Sequence, residues 1–154
     1  MTVDVQAASD AAGIPVTGNI REWVEHTIRA AGPGGDFDVS IRIVDAGEMQ
    51  ALNRDYRDQD KPTNVLAFPA GDAGFVPPGD RPLLGDIVVC ASIVADEAAE
   101  QGKALGDHWG HMVVHGTLHL LGHDHQTDHE AEAMEALERD ILASLGIADP
   151  YAGN

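Results

Sequence analysis

Hydrophobic and polar positions along this chain follow two periods, and the switch between them separates strands from helices. Phe37, Val39, Ile41 and Ile43 alternate with Asp38, Ser40 and Arg42, the period of two that marks a strand with one buried face. Val3 and Val5 begin a short strand near the N-terminus. The apolar runs 63–68 and 86–91 read as two more, fenced by Pro62, Pro69 and Gly85. Elsewhere the period is that of a helix. Asn19 and Glu22 have capping-box spacing, and Ile20, Trp23, Val24, Thr27, Ile28 and Ala31 then form one face that stops at Gly32. Asp45 and Glu48 repeat the spacing ahead of Met49, Leu52 and Tyr56. A helix over 92–101 is broken by Gly102, and another over 105–121 is closed by Gly122. Thr127 and Glu130 introduce the last helix, which sets Met134, Leu137, Ile141, Leu142 and Leu145 on one face and stops at Gly146. The Gly- and Pro-rich segment 71–82 reads as a surface loop.

These elements predict an α/β (α+β) chain: a small mixed sheet of about four strands packed with about five helices, in a single domain spanning 1–154. No repeat or linker divides the sequence, and 154 residues suffice to bury a core without disulfides. Composition narrows the chemistry. Cys90 is the only cysteine, so any metal site must be built from His, Asp or Glu, and a reducing cytoplasm fits best. No stretch approaches the roughly 20 apolar residues of a membrane span, and the N-terminus lacks the basic region of a signal peptide. The expectation is a soluble, cytoplasmic protein.

A net charge of −17 argues against an unspecific nucleic-acid coat protein, because phosphate binding draws on a surplus of Lys and Arg. Positive charge is nonetheless gathered locally: Arg54, Arg57, Lys61 and Arg81 fall within one third of the chain.

The strongest chemical signal is histidine. Seven of the eight, His108, His111, His115, His119, His123, His125 and His129, lie between the start of one predicted helix and the start of the next. Residues four apart share a helix face, so His115 and His119 can offer two nitrogens to one ion at about 2.0–2.1 Å. His111 repeats the spacing, but His111 and His119 stand about 12 Å apart along the axis at 1.5 Å per residue, too far to share an ion. A third ligand must therefore come from beyond the helix, where the break at Gly122 turns His123, Asp124 and His125 back. Three neutral ligands leave a tetrahedral ion one open position, the arrangement of a catalytic site, and such an ion lowers the pKa of bound water toward about 7. His108, His111 and His129 are expected to serve packing or to face solvent.

At this point the residues resemble a known family. His115-Gly-Thr-Leu-His119-Leu-Leu-Gly122-His-Asp124-His125 looks like the signature of the YbeY family of bacterial endoribonucleases. Leu52-Asn-Arg-Asp-Tyr-Arg57-Asp-Gln-Asp-Lys-Pro62-Thr63-Asn64-Val65-Leu66-Ala67-Phe68-Pro69 resembles its second motif, and Leu84-Gly85-Asp86-Ile87 its third. The resemblance implies a divalent metal ion, zinc with nickel as the alternative, on His115, His119 and His125, and a functional arginine at Arg57. It implies a single-strand-specific endoribonuclease acting in ribosomal RNA maturation, at the 3′ end of the small-subunit RNA, and in ribosome quality control. Implied partners are single-stranded and ribosomal RNA, small-subunit ribosomal proteins or a ribosome-biogenesis GTPase, and no membrane. Two positions depart from the family pattern: Asn64 stands where Asp is usual and Ala67 where Ser is usual.

On this reading hydroxide generated at the ion attacks a phosphodiester while Arg57 donates paired hydrogen bonds to phosphate oxygens. Asp124 and Asp86 are the candidate bases or ligand-orienting carboxylates. Two alternatives compete. A metallopeptidase shares the helix-borne histidine pair, but the position where the H-E-x-x-H motif carries its catalytic glutamate is Gly116 here. A non-catalytic ribosome-associated factor would use the metal only to hold its fold.

Overall fold

The computed structural model describes residues 2–32, 37–70, 83–123 and 126–151. The expected loop 71–82, with Arg81, and the site candidates Asp124 and His125 lie outside the described residues. Along the chain run β1 (Thr2–Ala7), α1 (Thr17–Ala31), β2 (Asp38–Val44), α2 (Ala46–Arg57), β3 (Val65–Pro69), β4 (Leu83–Cys90), α3 (Ala91–Gln101), α4 (Leu105–Leu120) and α5 (Asp128–Ser144). The strands form one mixed sheet in the order β1-β2-β4-β3, parallel except for β3, which pairs antiparallel with β4 at one edge. Among the described residues, four strands and five helices match the fold class expected from periodicity.

Strand alternation sorts the two faces of the sheet. Val39, Ile41, Ile43, Ile87 and Val89 project to one side, where Ile20, Val24 and Ile28 of α1 and Trp109, Met112, Val113 and Leu120 of α4 cover them. Val44, Leu66, Val88 and Cys90 project to the other and pack on Met49 of α2. Helix α4 carries a third contact surface: Val114 and Leu118 pack against Met134, Ile141 and Leu142 of α5. It is thus a core helix covered on several sides, and most of its residues are buried. Two glycines let it sit close. A Cβ on Gly116 would lie 3.0 Å from Ile87 Cγ2 and 3.3 Å from Val65 Cγ2, and one on Gly110 would lie 2.5 Å from Ile147 Cδ1.

The glycine stops behave as predicted. Helix α4 closes in a Schellman motif with Gly122 at φ 97°: the Gly122 N–H donates to His119 O (3.0 Å) and the His123 N–H to Leu118 O (3.1 Å). Gly146 closes α5 in the same way through Ala143 O and Leu142 O. Of the three expected capping boxes, only the one at Thr127 caps with its side chain, whose oxygen accepts from the Glu130 N–H at 3.1 Å. Helix α1 starts earlier than expected, at Thr17, and Asn19 lies inside its first turn. Asp45 holds the N-cap position of α2, but its carboxylate accepts from Ser9 Oγ (2.5 Å) and Glu48 pairs with Arg42 on β2 (2.6 Å). Side chains with a local capping role in isolation are here spent on tertiary ties.

A buried polar contact joins α3 to α4. His108, 3% exposed, donates from Nε2 to Glu97 Oε1 at 3.0 Å, and among the described residues its Nδ1 has no partner. Burial holds the His108 pKa below its ordinary 6.5, against the upward pull of the Glu97 hydrogen bond. No helix among the described residues is long and apolar enough to cross a membrane.

Two predictions follow from packing. At Gly85 φ is 153°, and a Cβ there would stand 2.5 Å from the Phe68 carbonyl oxygen and 2.7 Å from Leu120 Cδ2. Gly85→Ala is expected to destabilise the fold by about 1–3 kcal/mol, measured by urea unfolding. For His108, the unfolded chain takes up a proton near the ordinary 6.5 that the folded chain refuses until lower pH. Stability is therefore full above that value and falls on acidification toward the lower folded pKa. Denaturant titrations at about pH 7.5 and 5.5 should show a larger loss for the wild type than for His108→Gln; equal losses would remove His108 as a contributor.

Candidate functional site

The C-terminal half of α4, the edge strand β3 and the end of α2 enclose a pocket of about 640 Å³. Its lining includes Arg57, Asn64, Ala67, His115, His119 and His123. Each element is placed by contacts already in the fold. Gly116 lets α4 lie against Ile87 and Val65, which turns His115 and His119 toward β3. Beyond α2, Asp58 takes a left-handed conformation at φ 57°, and buried Asn53 ties down the connection to β3 by donating from Nδ2 to Lys61 O (2.9 Å) and accepting from the Gln59 N–H (3.2 Å). That turn sets Arg57 at the pocket, where its Nη2 donates to Ala67 O at 2.8 Å and its guanidinium lies 5.4 Å from the Phe68 ring centre.

The two helix-borne histidines face each other. His115 Nε2 and His119 Nε2 are 3.1 Å apart, with ring centres 4.6 Å apart. Two nitrogens bound to one tetrahedral ion at about 2.0–2.1 Å stand about 3.3 Å from each other, so the pair fits a shared ion with little movement. On its other side, His115 Nδ1 lies 2.5 Å from Glu138 Oε1. Glu138, on α5, is fully buried; its Oε2 accepts from His111 Nε2 at 3.0 Å and from the Tyr151 hydroxyl. Burial alone would raise the Glu138 pKa, but the hydrogen bonds from His111, His115 and Tyr151 outweigh it and hold the carboxyl well below the usual carboxylate range. Burial and the bond to Glu138 push the Tyr151 phenol pKa up, so the phenol keeps its proton. His111, His115 and Glu138 bring three ligand-type atoms within 4.8 Å of one another, a group that could hold a metal ion.

Of the residues singled out from the sequence, Arg57, His115 and His119 meet in one pocket, and His123 lines it as well. His125 and Asp124 lie outside the described residues. Asp86 does not reach the pocket. On β4 it alternates with Ile87, whose side chain meets α4, so Asp86 faces the opposite side of the sheet and lines a separate groove with Arg42, Glu48, Tyr56 and Phe68. Its candidacy as a base at the histidines is corrected by that alternation. His111 and His108 are buried and bonded to carboxylates, whereas His129 is exposed.

Two acidic residues had escaped notice. Glu97 meets Asn64 Nδ2 at 3.2 Å through each carboxylate oxygen, and Asn64 Oδ1 accepts from the Val65 N–H at 2.6 Å. The amide at position 64 thus donates to Glu97, which an aspartate could not do when ionised. The second is Glu138. Its signal was present in the sequence: it is the charged residue on the α5 face that carries Met134, Ile141 and Leu142.

Comparison with known proteins identifies the family. A family model described as Endoribonuclease YbeY matches residues 6–146. A protein of Stenotrophomonas maltophilia (strain R551-3) named Endoribonuclease YbeY is 54% identical over 154 residues, covering 99% of this chain and 94% of its own. One of the same name from Halorhodospira halophila is 54% identical over 140 residues, covering 91% and 90%. The solution structure of TM1509 from Thermotoga maritima superimposes with a TM-score of 0.55 at 25% identity, covering 97% of this chain and 99% of that one. With the family match running through the edge strand, the paired histidines and Glu138, the chain belongs to the YbeY endoribonuclease family.

Proposed function

We propose that this chain is a metal-dependent, single-strand-specific endoribonuclease that matures ribosomal RNA, at the 3′ end of the small-subunit RNA, and contributes to ribosome quality control. Family membership supports RNA phosphodiester hydrolysis. The observation that carries the metal reading is the 3.1 Å approach of His115 Nε2 to His119 Nε2 in a pocket that also holds Arg57. His115, His119 and His125 hold the ion, zinc with nickel as the alternative, since an all-imidazole set suits either. When bound, it supplies Lewis acidity and water that ionises near neutral pH.

The chain's own residues do the rest. Arg57 is held at the pocket by one nitrogen on Ala67 O, and its planar fork directs its remaining donors at phosphate oxygens, where negative charge grows during cleavage. Asn64 offers the pocket an amide rather than a carboxylate, so it takes no proton from the attacking water. Gly116, packed against Ile87 and Val65, leaves no glutamate at the peptidase position. Substrate engagement has to overcome a net charge of −17. Arg57 lines the pocket and Lys61 is exposed on the turn that follows it, and ribosomal small-subunit proteins or a biogenesis GTPase in the cytoplasm bring the enzyme to its RNA.

Three experiments test this. Metal-loaded wild type should cleave single-stranded RNA and leave casein intact, and chelator should stop the cleavage. His119→Ala should lose both bound metal and cleavage; a His119→Ala protein that keeps full activity would remove the ion from the mechanism. Arg57→Ala should fold and retain metal while cleavage falls by about 10²–10³, the usual scale for losing one transition-state donor. An unchanged rate would assign Arg57 to the surface.

A further inference from the structure

We infer that Glu138 is a positioning residue: its buried carboxylate takes the Nδ1–H of His115, leaving the Nε2 lone pair beside His119 for the ion, while His111 and Tyr151 serve the carboxylate. This rests on the ligand pair proposed above and goes beyond it, because it assigns the cluster of His111, His115 and Glu138 to hydrogen bonding instead of to an ion of its own.

Three observations carry it. The first is distance. His115 Nδ1 to Glu138 Oε1 is 2.5 Å and His111 Nε2 to Oε2 is 3.0 Å. The 2.5 Å contact is that of a charge-assisted hydrogen bond and too short for two ligands sharing an ion at about 2.0–2.1 Å, which stand about 3.3 Å apart. The second is the shape of imidazole. Its two nitrogens point in different directions, so His115 can bridge a carboxylate on one side and an ion on the other but cannot turn both toward one ion. Donation from Nδ1 fixes the tautomer and raises the basicity of Nε2.

The third is burial. Glu138 is 0% exposed, and a carboxylate in that position persists only when fully hydrogen-bonded. His115, His111 and Tyr151 supply donors to both its oxygens. His111 uses Nε2 for this and, among the described residues, its Nδ1 has no partner, which is the pattern of the neutral Nε2–H form. Elements far apart in sequence therefore meet at one carboxylate: α4 through two histidines, α5 through Glu138 itself, and the C-terminal Tyr151.

The experiment needs no assumption about the metal for its first half. In apo protein labelled with ¹⁵N-histidine, imidazole correlation spectra should show His115 as the Nδ1–H tautomer. Wild type showing the Nε2–H form would overturn the proposal without any variant. Glu138→Gln should move His115 toward a tautomer mixture and weaken zinc binding, read by chelator competition, by about 10–100-fold. Its cobalt-loaded spectrum should stay tetrahedral, which separates a weakened ligand from a lost site. His111→Gln should weaken zinc binding no more than Glu138→Gln does, and His119→Gln should abolish it. The reverse pattern, zinc lost in His111→Gln and kept in His119→Gln, places the ion in the cluster and overturns the proposal. So does a Glu138→Gln protein with wild-type affinity and tautomer. Wild type that binds no zinc while keeping the Glu138-dependent tautomer would instead overturn the proposed metal function, so the two failures are distinguishable.

Discussion

Everything at this site depends on the burial of α4. A helix packed against a sheet, α1 and α5 together has little freedom to roll or slide, because each movement would open voids between its own Trp109 or Leu118 and neighbours such as Ile87, Val24 and Ile141. The fold therefore fixes the direction of His115 and His119 through apolar packing before any polar contact is made. Glycines are part of that constraint: at positions 110 and 116 a methyl group would separate α4 from Ile147 and Trp23 on one side and from Ile87 and Val65 on the other.

Polar groups in so buried a helix have to be satisfied internally. His108 meets Glu97 of α3, and His111 and His115 meet Glu138 of α5. Successive turns of one helix thus address carboxylates on its two neighbours, and His119 at the end reaches the pocket. The same carboxylates that tie α3 and α5 to α4 also hold the imidazoles along it in place. Stability and site geometry here draw on one network, so changes to one are expected to be felt in the other.

How much of this was legible beforehand depended on whether the signal was local. The Schellman ending at Gly122 and the cap at Thr127 depend on residues within one turn, and both were readable. The capping spacing at Asp45 and Glu48 was readable too, but distant partners, Ser9 and Arg42, took those side chains. Asp86 and Glu138 failed for a related reason. Alternation showed that Asp86 and Ile87 lie on opposite faces, but only the sheet order and the position of α4 decide which face holds the histidines. Periodicity sets Met134 and Ile141 on one face, but that Glu138 between them is buried depends on His111, His115 and Tyr151, which only the tertiary packing brings to it. The choice of Arg57 from a cluster of cations came from the family motif, because its neighbour across the turn, β3, is set by tertiary pairing.

The guanidinium of Arg57 is tied to the main-chain oxygen of residue 67, an atom every amino acid possesses. Strand pairing of β3 with β4 places that oxygen, with Ala67 opposite Ile87. Any side chain at this position therefore leaves the arginine's tether intact, whereas an insertion or register slip in β3 would move it even if every motif letter were kept. The position of the arginine is in this respect a property of strand pairing, which motif matching reads only indirectly.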